Sequence, residues 1–285
     1  MKVFVDLQLK TLWISIVYFG IIYLCFTLST VMPDLSVVII TLNEEKNLPR
    51  CLESIKEVAD DIVVVDSFST DKTADIALAY GARFIQNKFV DYVEQHKFAD
   101  TQAKFDHILT LDADESLSPD LIQSILIAKK YWKNDGYFMN RKTNYCGKWI
   151  HHSGWYPDKK LRIYDRRKGK WMGKKLHEHF TLVGGATTSH LKGDILHYSF
   201  YTIEEHILQA NRFSTLGAST LIEANVKIPI FYLLMKPFAK FIRNYILRLG
   251  FMDGLYGFVI CRIAATETFY KYAKAYHQIR LNRKK

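Results

Sequence analysis

Cysteine is scarce and scattered in this chain of 285 residues: Cys25, Cys51, Cys146 and Cys261 form no CxxC pair. Neither a zinc site nor a disulfide framework is signalled, and a reducing compartment is the expectation. Glycine is missing where phosphate loops need it. The stretch after the first strand-like run, Thr41 to Asn47, reads TLNEEKN, which excludes a Rossmann fingerprint and a Walker loop. Acids are nearly missing from the end of the chain, where Lys227 to Lys285 holds 12 Lys and Arg against Asp253 and Glu267 alone. That excess equals the whole net charge of +10, so the preceding residues are neutral. What is present, 49% hydrophobic and 24% charged residues, excludes a disordered, collagenous or coiled-coil protein. The length suits one large α/β domain with a smaller appendage.

Charge is also absent from Thr11 to Met32, 22 positions that as a helix would cover about 33 Å at roughly 1.5 Å per residue. Two readings of this leader stand open: a membrane anchor or membrane-lying helix, or upstream sequence from a misassigned start. Lys2 and Lys10 would hold the short amino-terminal end of an anchor inside and place the rest outside, which is awkward for a domain using a cytoplasmic substrate. In the basic end, Phe238, Phe241, Ile242, Tyr245, Ile246 and Leu249 recur at helical spacing, while Lys236, Lys240 and Arg243 share another face. This predicts a helix lying in an anionic membrane interface. The surrounding apolar runs are too short to span, since a bilayer core needs roughly 20 residues of helix. A helical pair packed on the protein's own core, with a solvated basic edge, is compatible with the same pattern. Three regions are expected: a hydrophobic segment over 1–33, a catalytic domain over 34–226 and a membrane-associating region over 227–285.

Between them, strand-like and helix-like stretches alternate. Leu35 to Thr41 (LSVVIIT) and Asp61 to Asp66 (DIVVVD) are continuous β-branched runs of the kind found in buried parallel strands. A helix with Pro49 in its first turn runs to about Val58, and Asp71 caps another through Tyr80. Arg83 to Ile85 is a third strand, Tyr92 to Ala103 a third helix and His107 to Leu111 a fourth strand. This order predicts a doubly wound α/β sheet whose ligands gather at the carboxyl ends of strands. Acids stand there: Glu44 and Glu45 after the first strand, Asp66 ending the second, and Asp112, Asp114 and Glu115 after the fourth. Clustered carboxylates repel one another unless a cation joins them, so a hard divalent ion with oxygen ligands is the economical explanation. The bland alternative is that Glu115, Ser116 and Ser118 before Pro119 simply start the next helix.

Three segments in order, VVIITLNEEKNL, VVVDSFSTDKT and LTLDADE, resemble the amino-terminal half of a family 2 glycosyltransferase of the GT-A fold. The stretch from Asn144 to Phe180 further resembles the subgroup that adds a sugar, often glucose, to the lipopolysaccharide inner core. The likeness runs from about Leu35 to Tyr276. It implies a doubly wound, mostly parallel sheet with helices on both faces, followed by the amphipathic helical region. It also implies that Thr41, Asn43, Glu44, Asp66, Lys97 and Asp112 hold a UDP-sugar, with Glu44 and Asp66 on the uridine. Asp114, with Asp112, would bind Mn²⁺ or Mg²⁺ on the diphosphate, and Glu178 would be the catalytic base. Two positions depart from the pattern: Phe68 stands where many relatives have Gly, which bears on loop geometry, and Lys97 where many have Asn, which offers a positive contact to phosphate.

The chemistry follows from the substrate class. Inverting transfer from a nucleotide diphosphate sugar needs one base on the acceptor hydroxyl and charge neutralisation on the departing diphosphate. Other groups have two readings each. His177 and His179 flank Glu178 and either complete a metal shell or bond to backbone. Trp149, Trp155, Tyr156 and Trp171 either stack on acceptor sugars or fill the core. Arg162, Arg166, Arg167, Lys168 and Lys170 either meet phosphates of a core oligosaccharide or form a solvated loop. Gln209, Asn211, Arg212 and Phe213 faintly resemble the QxxRW motif of processive synthases, an acceptor-side hint. The expected protein is an inverting, metal-dependent hexosyltransferase on the cytoplasmic leaflet of the bacterial inner membrane. It takes a UDP-sugar and a lipid-linked saccharide and binds no nucleic acid. A sugar nucleotidyltransferase should show a Gly-rich loop after strand one, and a non-catalytic nucleotide-sugar-binding module would have no turnover to lose.

Overall fold

The computed structural model describes residues 33–173 and 178–282. The leader Thr11 to Met32 and His177 lie outside the described residues. Strands β1 (Leu35–Thr41), β2 (Asp61–Asp66), β3 (Arg83–Gln86) and β4 (His107–Asp112) fall where the apolar runs predict them. They pair in parallel in the order β3-β2-β1-β4. Between them lie α1 (Leu48–Ile55), α2 (Thr73–Ala79) and α3 (Tyr92–Gln102). The expected doubly wound sheet is therefore present, and α1 stops short of Val58. Asp71 caps α2 from one residue further out than expected: the helix is flanked by Lys72, and Asp71 Oδ1 accepts the Thr73 N–H at 3.0 Å.

The period-two alternation of a strand divides the core between two faces. Val37 and Ile39 point to a cluster with Leu48, Leu52 and Ile55 of α1, Ala77 of α2, and Leu121 and Ile125 of α4 (Pro119–Lys130). Val38, Val63 and Val65 point the other way, onto Ala99 of α3 and onto Trp171 and Phe180. Those two rings come from a hairpin, β9 (Gly169–Met172) with β10 (His179–Leu182), paired antiparallel. Trp171 is thus core, stacked on His96 at 3.9 Å.

Beyond β4 the sheet changes character. It continues through β8 (Asp158–Asp165), β6 (Gly136–Tyr145), β11 (Thr188–Phe200) and β5 (Glu115–Leu117), with β7 (Lys148–Trp149) hanging off β6. β8 runs antiparallel to both β4 and β6, which carries residues from late in the chain across the end of β4.

Three helices close the chain: α5 (Ile203–Glu223), α6 (Tyr232–Ile242) and α7 (Gly254–Asn282). α5 opens with a capping box in which Thr202 and Glu205 satisfy each other's backbone N–H groups, and it packs along α7. The amphipathic stretch predicted from Lys236 to Leu249 is not one regular helix. α6 holds Pro237, passes into a π-helical turn at Arg243–Leu247, and ends at Leu249 in the left-handed region with φ 54°. No residue of α6 is buried. Among the described residues, no helix is long and apolar enough to cross a membrane.

Candidate active site

The parallel register sets Thr41 beside Asp66 and Ile40 beside Asp112. A cavity of about 590 Å³ opens at these carboxyl ends, where a doubly wound sheet holds its ligands. Thr41, Glu44, Asp112, Asp114 and Glu178 all line it, joined by His197 from β11 and by Gln209, Arg212 and Phe213 from α5.

Two loops are laced together at its rim. Asn43, itself left-handed at φ 56°, accepts the Thr70 N–H on its side-chain oxygen at 2.8 Å, and its own N–H donates to Ser69 Oγ. The Glu44 N–H donates to Thr73 Oγ1, and the Glu45 N–H to Asp71 Oδ2. Asp66 is fully buried behind them, accepting from Thr41 Oγ1 at 3.0 Å, Ser69 Oγ at 2.5 Å and the Ser69 N–H at 2.8 Å. Asn43 and Asp66 therefore shape the rim and floor and do not stand on the cavity wall. Lys97 is also off the wall. It pairs with Glu94 at 2.7 Å, and two residues on from Gln95 it points about 200° around the helix from that cavity-lining side chain. Among the described residues, Arg212 is the Lys or Arg that does face the cavity.

The carboxylates differ in their partners. Asp112 Oδ2 accepts from Arg162 Nη2 at 2.9 Å, and the same nitrogen reaches Glu115 Oε1 at 2.7 Å. Arg141 adds a second cation to Glu115 at 3.4 Å, and Glu115 Oε2 accepts the Asp112 N–H at 3.0 Å. Burial by itself would raise the Asp112 carboxyl, but the Arg162 guanidinium, helped by His96 and Arg141, outweighs it and holds the group well below the usual carboxylate range. Glu115 moves the other way, pushed up by burial. Asp114 has a milder neighbour, His197 Nε2 at 3.2 Å. Glu44 is pushed up by burial against the hold of its Asn47 hydrogen bond, with Asp114, Asp71 and Asp112 adding to the rise. Burial also raises the Tyr92 phenol, which feels Arg212 on one side and Glu178, Asp112 and Asp114 on the other. Glu178 carries no hydrogen bond or ion pair from the described residues and stands at the cavity directly before β10.

The expectation that Asp112 and Asp114 jointly grip a dication needs amending. Asp112 has one oxygen committed to Arg162, and its partner Asp114 is freer. Among the described residues, no three His, Cys, Asp or Glu side chains form a ready metal shell. The donor set still fits Mn²⁺ or Mg²⁺, because such ions are commonly held by one or two carboxylates and take their remaining ligands from water and substrate phosphates. Asp114, the second oxygen of Asp112 and the His197 imidazole are the groups available. His197 lies 83 residues from Asp114 in sequence, and no local pattern marks it.

The remaining readings separate cleanly. Arg162 is not an acceptor-facing surface cation; it is buried in the Asp112–Glu115 network. Arg166 and Arg167 pair with Asp106 and Asp165 at the opposite end of β4. Ser118 does cap α4, accepting the Leu121 N–H at 3.3 Å, whereas Glu115 belongs to the ion network. Trp149 packs edge-on to Tyr198, and Tyr156 donates to Asp194 at 3.0 Å. The QxxRF segment at Gln209 to Phe213 reaches the cavity.

Residues 36–185 match the family described as glycosyl transferase family 2. The lipopolysaccharide core biosynthesis glycosyltransferase LpsC of Rhizobium meliloti is 31% identical over 258 residues, covering 86% of this chain and 92% of that one. An uncharacterised glycosyltransferase of Rickettsia typhi is 30% identical over 253 residues, covering 85% and 87%. Among solved structures, residues 1–349 of S. aureus TarS are similar at a TM-score of 0.45 with 16% identity, over 86% of this chain and 91% of that one. A doubly wound sheet with acids at its carboxyl edge and these sequence matches lead to one assignment: the chain belongs to glycosyltransferase family 2.

Proposed function

We propose that the protein is an inverting hexosyltransferase that moves a sugar, with glucose the first candidate, from a UDP-sugar to a lipid-linked saccharide of the lipopolysaccharide-core type. The observation that carries this reading is the shared cavity of Asp112, Asp114, Glu178 and Arg212 at the ends of β1 and β4. The similarity to LpsC supports the acceptor class. Thr41, Glu44 and Ser67 line the cavity and are assigned to the nucleoside, with Asn43 and Asp66 fixing the loops that carry them.

The reaction is one displacement. Glu178 takes the proton of the acceptor hydroxyl as its oxygen bonds to the anomeric carbon, and the bond from that carbon to the β-phosphate oxygen breaks with its electron pair leaving on UDP. The Glu178 carboxylate, without a hydrogen bond or ion pair from the described residues, is open to an acceptor hydroxyl and suits the base role. Arg212 faces the charge that grows on the diphosphate. A divalent ion held by Asp114, with Asp112 and His197, would neutralise that diphosphate as it departs. Arg162 keeps Asp112 ionised and aimed.

We assign the working surface to the cytoplasmic face of the inner membrane. α6 and the turn after it expose Leu234, Phe238, Leu247 and Met252 beside Lys236 and Arg243, the combination that an anionic interface binds. The test is UDP release from a panel of UDP-hexoses with Mn²⁺, with and without truncated lipopolysaccharide. Release that rises with acceptor is expected; release from no donor under any acceptor overturns the proposal.

A further inference from the structure

A second cavity of about 380 Å³ lies between α5 and the α6–α7 pair, lined by Lys240, Arg248 and Lys271 together with Trp155, Asn244 and Glu267. Gln209 lines both this cavity and the one holding Glu178, so the two adjoin. Resting on the transferase reading, we propose that this second cavity is the acceptor subsite and that it takes a saccharide bearing an anionic group, phosphate or carboxylate.

Three observations point to such a ligand. Lys240, Arg248 and Lys271 line the cavity with a single carboxylate, Glu267, and among the described residues none of the three has an ion-pair partner within 4.0 Å. Partial burial lowers the Lys240 ammonium, with Arg243, Arg248 and Lys271 adding to the fall and Glu267 alone opposing it, so positive charge is crowded there and only partly compensated. The cations are also built in. A Cβ on Gly154 would stand 2.2 Å from Arg248 Nη1, and one on Gly217 would stand 2.7 Å from Lys271 Cδ, so each glycine leaves the room its cation occupies. Finally, Asn244 is 3% exposed and its Oδ1 has no hydrogen-bond partner. A buried acceptor of this kind needs a donor, and a sugar hydroxyl supplies one.

The wall is tied into the fold. Asp253, itself buried, accepts the backbone N–H groups of His151 and His152 at 3.1 and 2.9 Å, and the Ser153 N–H donates to the Arg248 carbonyl at 3.0 Å. The loop carrying Gly154 and Trp155 is thereby fixed to the turn before α7. Trp155 lines the cavity while packing on Tyr145, Phe200 and His206. Charge-assisted contacts to phosphate or carboxylate are the stronger hydrogen bonds in such a site.

The test is calorimetric titration of the full chain with glucose 6-phosphate, glucuronate and glucose, read without any turnover. An anionic sugar binding at least about tenfold tighter than glucose is expected, with the preferred anion identifying which group the acceptor carries. Lys240→Met, Arg248→Met and Lys271→Met should each weaken it about tenfold or more, the loss of one charged contact, and Glu267→Gln should tighten it. In assays with truncated lipopolysaccharide the same variants should raise acceptor KM while UDP affinity and donor hydrolysis stay unchanged. Equal binding of all three sugars, or an anionic preference untouched by the Lys240 and Lys271 variants, overturns the proposal. The calorimetric readouts depend on neither Glu178 nor metal, so a failed transferase assay leaves them separately legible.

Discussion

Arg162 Nη2 stands 2.9 Å from Asp112 Oδ2, bringing a cation from β8 against an acid at the end of β4. The same nitrogen holds Glu115, whose side chain is fully enclosed, so one guanidinium stabilises two carboxylates that would otherwise repel. Arg162→Met removes it, leaving Asp112 without its ion pair and Glu115 with only the longer 3.4 Å contact to Arg141. A loss of about 3–5 kcal/mol is expected, the usual consequence of removing one partner from a buried pair. Urea unfolding followed by circular dichroism measures it, and a loss below about 1 kcal/mol would show the pair to be structurally idle.

Phe68 sits at φ 65° with its side chain largely in solvent. A bulky residue is strained in the left-handed region, where glycine is not. Phe68→Gly should stabilise the fold by up to about 1 kcal/mol, glycine's greater unfolded-state entropy offsetting part of the relief. A melting temperature that falls would show that the ring makes contacts worth more than the strain.

His96 stacks on Trp171 and is held by burial at about 4, below its ordinary 6.5. Its neutral form stabilises the fold fully above 6.5, and that contribution is lost as pH falls from 6.5 through about 4. Asp100, one turn along α3, is raised by burial from 3.8 to about 7 and works in the opposite sense, its contribution fading as pH rises toward 7. The two partly cancel in the wild type, so the comparison must be made against His96→Phe. Relative to that variant, wild type should lose about 3 kcal/mol between pH 7 and pH 4. Parallel stability curves for the two proteins would contradict this.

The apolar ridge of α6 gives a prediction for vesicles. Leu234→Glu with Phe238→Glu should reduce partitioning onto phosphatidylglycerol vesicles more than tenfold, since burying each side chain contributes roughly 1.5–3 kcal/mol. Added salt should weaken wild-type binding by screening its basic residues. Sedimentation with vesicles reads both effects, and unchanged partitioning of the double variant would remove α6 from the interface.

The parallel half of the sheet was legible because β1, β2 and β4 are largely apolar runs, and the sequence showed Asp112 and Asp114 as acids at and just beyond the end of β4, where both line the cavity. Their partners were not legible. Arg162 and His197 come from β8 and β11, and their approach depends on the pairings of the second half of the sheet, which no local pattern fixes. Arg162 reads in sequence like its neighbours Arg166 and Arg167; only strand alternation and burial send it inward. Lys97 misled for a related reason, since helical phase placed Gln95 at the cavity and turned Lys97 toward Glu94. Arg212 supplies the cavity cation from a helix 100 residues beyond Asp112 in sequence.

Glu178→Gln tests the site most directly, with UDP binding and UDP-hexose turnover measured on the same preparation in the presence of Mn²⁺. We expect UDP affinity to be retained while acceptor-dependent turnover falls by about 10²- to 10⁴-fold, the effect of losing a positioned base. Turnover at the wild-type rate, or loss of UDP binding in step with it, would contradict the assignment of Glu178 as the group that takes the acceptor's proton.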